Sequence, residues 1–272
     1  MNWRLISKPT FTGLLVLVLS ASARADAPLE LRDDGPPGFE PVEPDRCELR
    51  TLYQNYESLR YAGVGGPRTG LPAARDGFSP QQIDLGRYLF FDPLLSGDGT
   101  VSCASCHHPD LGFSDGRLRS VGINGAEVKR AAPSLWNVAF LSSFFWDGRV
   151  DSLEEQMLGP LYDASEMGNN PARLLADIGA NETYRELFRD AYPGSEGPPT
   201  LQQIYHAITA FQTTLISLNS RYDHYAHGYH DALTDDEKAG MNIFRSFVAR
   251  CAECHTPPLF TNQQLAVIGV RD

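Results

Sequence analysis

A chain of 272 residues can form one large or two small domains, and 42% apolar with 21% charged side chains is ordinary for a soluble globular protein. The 34 acidic against 23 basic residues exclude the basic surface that nucleic acid selects, so no nucleic-acid partner is expected. The acidic excess suits a cationic partner and a merely solubilising surface equally.

The first predicted element is a targeting segment over residues 1–25. Arg4 and Lys8 precede a short apolar run at 11–19, and Ala23-Arg24-Ala25 fits a small-x-small cleavage site. That run is short for a bilayer, so a mature chain from Asp26 without a membrane span is expected. Residues 26–46 are rich in Pro, Gly and acidic side chains and read as an extended lead-in. Leu49, Leu52, Tyr53 and Tyr56 predict a helix over 47–61, followed by a Gly/Pro-rich loop to Gly77. Ser79-Pro80-Gln81-Gln82 then has the form of a capping box with proline at the first helical position. The helix that it opens carries Ile83, Leu85, Tyr88 and Leu89. Residues 201–218 predict a second helix, with Ile204, Ile208, Phe211, Leu215 and Leu218 on one face. Thr234 and Glu237 form another capping box, ahead of a helix running towards Cys251. No strand-like alternation of any length stands out, so the expected fold is mainly α.

An internal repeat divides the chain. Gly86-Arg87-Tyr88-Leu89-Phe90 precedes Cys103-Ala104-Ser105-Cys106-His107, and Gly240-Met241-Asn242-Ile243-Phe244 precedes Cys251-Ala252-Glu253-Cys254-His255. After each histidine the pattern recurs, with Pro109 and Phe113-Ser114 in the first copy and Pro257 and Phe260-Thr261 in the second. The expectation is two tandem cytochrome-c-like domains, at 78–197 and 198–272, behind an N-terminal extension at 26–77. The boundary is placed at the Gly/Pro cluster 194–199.

The two CxxCH motifs carry the chemistry. Two thiols separated by two residues span the vinyl groups on one porphyrin edge, and the next histidine offers a nitrogen to the iron. Cys103 and Cys106, then Cys251 and Cys254, are therefore expected to bind two covalent haem c groups, with His107 and His255 as iron ligands. A redox dithiol does not need the histidine, and the two pairs stand too far apart for a zinc ribbon. Cys47 is left over, without a role. Covalent haem behind an export signal points to a Gram-negative periplasm.

With those motifs in place, the chain from Leu85 onward resembles the bacterial dihaem cytochrome c peroxidase family, which includes MauG-type members. The resemblance rests on Leu89-Phe90-Phe91-Asp92-Pro93, the first haem motif, Pro133-Ser134-Leu135-Trp136-Asn137 and Phe145-Trp146-Asp147-Gly148-Arg149. It continues through Leu153-Glu154-Glu155-Gln156, Gly159-Pro160 and Glu166-Met167. It implies that the first haem reacts with hydrogen peroxide and the second transfers electrons. It also implies that Trp146 lies between the haems and that Gln156 and Glu166 stand beside the open face of the first. A carboxyl with a raised pKa suits the proton shuttle that peroxide cleavage needs. Taken without the family, Glu166 is a surface residue, Gln156 a helix residue and Trp146 a core residue.

Two departures from the family pattern stand out. The loop 109–129 lacks a histidine, and His108 is too close to His107 to reach the other haem face, so the first haem is expected to be open as isolated. Arg130-Ala131-Ala132-Pro133 replaces the family's Arg-Asn-x-Pro, which puts an interdomain calcium in doubt. Only Thr256 to Asp272 follows His255, short of a closing helix and a Met or Tyr ligand, so the second domain reads as truncated. His206, His224, His227, His230 and Met241 precede the motif and are expected to be surface or core residues.

The implied activity is peroxide reduction with electrons from a small cytochrome c or cupredoxin, or from side chains of a protein substrate. A dihaem electron carrier or haem sensor without turnover is the alternative.

Overall fold

The computed structural model describes residues 29–43, 45–54, 71–267 and 269. The expected signal peptide lies outside them. The described chain is mainly helical, as expected, apart from one small hairpin.

That hairpin pairs β1 (Phe39–Glu43) with β2 (Arg46–Leu49), antiparallel, with Phe39 opposite Leu49 and Pro41 opposite Cys47. It corrects the helix expected from Cys47, and with it the reading that no strands occur. Within β2 only Cys47 and Leu49 are buried, a period of two that fits a half-buried strand. The Cys47 N–H donates to the Phe78 carbonyl at 2.9 Å, and the Cys47 thiol packs among Phe78, Ile83 and Ala210. A short 3-10 turn, Leu52–Gln54, follows, and the rest of the expected helix lies outside the described residues.

Helix α1 (Pro80–Phe91) begins as its capping box predicts. The Gln82 N–H donates to Ser79 Oγ at 3.1 Å, and the Ser79 N–H donates to Gln82 Oε1 at 3.1 Å. Ile83, Leu85, Leu89 and Phe90 are its buried apolar residues, each contributing about 1.5–3 kcal/mol by leaving water. After the short α2 (Cys103–Cys106) come α3 (Leu153–Tyr162), α4 (Pro171–Ala180) and α5 (Glu182–Ala191). Then come α6 (Leu201–Thr213), α7 (Arg221–Ala226) and α8 (Asp235–Phe244).

The main core joins Leu85 and Leu89 of α1 to Met157, Leu161, Leu174, Ile178, Leu187 and Phe188, and to Ile204 and Ile208 of α6. A second cluster gathers Phe90, Phe113, Leu135, Phe144, Leu153, Phe211 and Leu215 behind the first haem motif. Helix α6 crosses α1 so closely that a Cβ on Gly86 would lie 1.8 Å from the Ala207 carbonyl oxygen. The Gly/Pro cluster at 194–199 is a loop, but the helix after it packs into the core of the preceding segment.

α6 also ends earlier than expected. Leu215 and Leu218 are buried, yet both lie past the helix end at Thr213. Thr213 Oγ1 donates to the Ala210 carbonyl at 2.9 Å and Thr214 Oγ1 to that of Phe211 at 2.8 Å, local bonds that compete with helix continuation.

Candidate functional site

The two CxxCH segments are built alike. The His107 N–H closes a turn on the Cys103 carbonyl at 2.9 Å, and the His255 N–H does the same on that of Cys251 at 2.9 Å. His107 Nδ1 donates to the Phe113 carbonyl at 2.9 Å, and His255 Nδ1 to that of Phe260 at 3.2 Å. Each phenylalanine sits in the left-handed region, with φ of 54° at Phe113 and 57° at Phe260, which turns its carbonyl towards the ring. With Nδ1 held by a carbonyl, Nε2 is the nitrogen left to bind a metal, the usual arrangement for an iron-ligating histidine.

Burial pushes the Cys103 thiol up to about 12 and raises that of Cys106, while it lowers His107 and so favours the neutral, ligating imidazole. All five cysteines are unpaired, and Cys47 is the buried one. Among the described residues no group of three or more His, Cys, Asp or Glu converges as a chelating metal site would. Free paired thiols beside a histidine with its Nδ1 engaged fit a covalently attached haem at each motif.

Glu166 lies in the turn after α3, and its backbone carbonyl accepts from the Ile123 N–H at 2.8 Å. That seats the histidine-free loop against this turn, at a point where a Cβ on Gly122 would come within 2.1 Å of the Ser165 carbonyl oxygen. Burial first, and Asp163 second, raise the Glu166 carboxyl, with Arg149 opposing them. Burial first, then the charges of Asp115 and Glu166, raise the Cys106 thiol. Gln156 is half-buried on α3. Arg149 stacks over the Phe145 ring at 3.4 Å and pairs with Asp147 at 2.8 Å.

Trp146 is 59% exposed, and its Nε1–H donates to the Ala131 carbonyl at 3.1 Å. It is not a core residue. His108 accepts the Asp110 N–H at 3.2 Å and so caps its own turn. His206 meets the Tyr192 hydroxyl at 3.0 Å, and buried His227 donates to the Asp223 carbonyl at 2.7 Å. The carbonyls of Phe113 and Phe260 are functional groups that the sequence reading missed. Their signal was the phenylalanine recurring after each motif.

The chain matches the family described as di-haem cytochrome c peroxidase over residues 80–231. It belongs to that family. Methylamine utilization protein MauG of Methylorubrum extorquens is 39% identical over 193 residues, covering 71% of this chain and 54% of the relative. Cytochrome c551 peroxidase of Pseudomonas aeruginosa is 32% identical over 243 residues, covering 89% of this chain and 62% of the relative. Among solved structures, a MauG-like protein associated with microbial copper homeostasis superposes with a TM-score of 0.63 at 37% identity, over 68% of this chain and 56% of that one. The diheme peroxidase BthA from Burkholderia thailandensis superposes with a TM-score of 0.59 at 25% identity, over 86% and 62%. This di-haem peroxidase family member thus spans a little over half the length of the relatives it matches. Among its described residues no helix is long and apolar enough to cross a membrane.

Proposed function

We infer that this chain is the peroxide-handling portion of a periplasmic dihaem oxidoreductase. The observation that carries this reading is the half-buried Glu166, whose carbonyl accepts from Ile123 of the histidine-free loop at 2.8 Å and whose carboxyl is raised first by burial. Haem c would be attached through Cys103 and Cys106, with His107 as iron ligand, and again through Cys251 and Cys254, with His255. A haem held there would supply a redox-active iron able to react with peroxide.

Glu166 takes a proton from the nearer peroxide oxygen and returns it to the departing one, and its raised pKa keeps it competent for both steps. Gln156 orients peroxide by hydrogen bonding. Trp146 provides an aromatic waypoint between the two motifs. Reduction of one peroxide to two waters takes two electrons and two protons. The electrons come from a small cytochrome c or cupredoxin, or from tyrosine or tryptophan side chains of a protein substrate. The histidine-free loop 109–129 favours the protein-substrate route mildly, because it leaves the first site open without prior activation.

Glu166→Gln in the haem-loaded protein tests this reading. Retained haem spectra with peroxide cleavage slowed by about 10²–10⁴ in stopped flow are expected. Unchanged kinetics would remove Glu166 from the reaction. Turnover by neither protein would favour a dihaem electron carrier or haem sensor.

A further inference from the structure

The segment after the second haem motif reaches across to the loop that carries Trp146, and one side chain makes most of the polar link. Gln263 Oε1 accepts from both the N–H and the Oγ of Ser142, each at 3.0 Å. Its Nε2 donates to the Phe140 carbonyl at 3.0 Å. Three of the four hydrogen-bonding positions of the amide thus go to residues 140–142, which end four residues before Trp146. Gln263 holds a left-handed backbone, with φ of 56°, a conformation that a non-glycine residue keeps only where its surroundings hold it.

Its neighbours extend the link in both directions. The Asn262 N–H donates to the Cys254 carbonyl at 2.8 Å, and Asn262 Nδ2 donates to that of Glu253 at 2.9 Å. Residue 262 is thus tied to the turn that presents His255. On the other side, Leu265 packs on Gly148, where a Cβ would lie 3.0 Å from its Cδ1. A continuous path runs from the His255 turn through Asn262 and Gln263 to Ser142, and then along the chain to Trp146.

We propose that Gln263 is a positioning residue that sets the Trp146 loop in register with the second haem motif, and so sets how readily electrons pass between the two sites. The electron-transfer part rests on the function proposed above. The positional part does not. Alanine at 263 removes all three bonds at once. Ser142→Ala removes only the hydroxyl bond and keeps the backbone one, so its effect is smaller.

The test uses the haem-loaded full chain. Hydrogen exchange is measured at the Ser142 amide and across 143–149, and single-turnover electron transfer is measured after reduction and mixing with hydrogen peroxide. Gln263→Ala is expected to speed Ser142 exchange about tenfold and to slow transfer to the first site about tenfold. The haem content, the first-haem spectrum and the peroxide-cleavage step stay as in the parent. Equal exchange in variant and parent overturns the link whatever the reaction proves to be. Faster exchange with unchanged transfer overturns its bearing on electron passage. A parent that never turns over peroxide refutes the proposed function, and the link then stands or falls on exchange alone.

Discussion

The two haem-motif units start from nearly the same helix and end in different surroundings. α1 and α8 each open with a capping box, and each carries a glycine four residues before a phenylalanine. In α1 the glycine lies against the backbone of α6, and seven residues of the helix are buried. In α8 nothing lies within 4 Å of a Cβ built on Gly240, no residue is buried, and Ile243 is 66% exposed. The turns that present His107 and His255 are nonetheless alike. Caps and the CxxCH turn are local and form from their own residues, whereas burial comes from whatever helix crosses at the glycine.

The sharpest way to break this comparison is to place a methyl group on each glycine. Gly86→Ala drives a Cβ into the Ala207 carbonyl, and a loss of about 3 kcal/mol or more in urea unfolding is expected. Gly240→Ala meets open space on a helix, so a gain of about 0.5–1 kcal/mol is expected. Equal losses at both would show that α8 is also crossed by a helix in solution.

Next in size are the paired apolar truncations. Leu89→Ala empties a fully buried position and should cost about 2–5 kcal/mol, while Ile243→Ala on exposed α8 should fall within about 0.5 kcal/mol of zero. Thermal unfolding of the two variants side by side measures the contrast.

The caps should behave alike. Ser79→Ala and Thr234→Ala each remove a side-chain acceptor and should each cost about 1 kcal/mol of helix stability, read by circular dichroism. A cost at Ser79 alone would show that the cap of α8 does not hold without a packed face.

The smallest effect concerns pH, where the units have opposite signs. Arg221 and the Thr234 N–H hold Glu237 down to about 2, so its contribution is present above the ordinary value of 4.5 and is lost as pH falls towards 2. Glu166 is raised by burial, so the folded state holds its proton longer than the unfolded state does. Stability then falls as pH rises from 4.5 through its folded pKa. Glu237→Gln should flatten the acid limb of a stability–pH curve and Glu166→Gln the limb above 4.5, with the first change slight because Glu237 is exposed.

What could be read from the residues follows the same division. Both capping boxes, the haem turns and the burial of Ile204, Ile208, Phe211, Leu215 and Leu218 depend on nearby residue types, and they were legible. The helix expected at Cys47 was not, because Leu49, Leu52 and Tyr53 fit helical spacing while Phe78, distant in sequence, draws Cys47 into a strand. Trp146 and Gln263 depend on contacts with Ala131, Ser142 and Phe140 that no spacing rule encodes. The role of the Phe113 and Phe260 carbonyls escaped notice because it belongs to the backbone, and residue type describes side chains.

Those two phenylalanines carry a lesson for anyone seeking to harden this protein. A left-handed conformation at a bulky residue costs on the order of 1 kcal/mol, and it occurs at equivalent places in both copies of the repeat. Glycine would relieve it at either place. It would also remove the rings, of which Phe113 packs edge-on to Trp136 and Phe260 to Tyr222. At Phe113 that loss outweighs the strain relieved, because the ring belongs to the core cluster behind the first haem motif and truncating a buried phenylalanine costs about 3–5 kcal/mol.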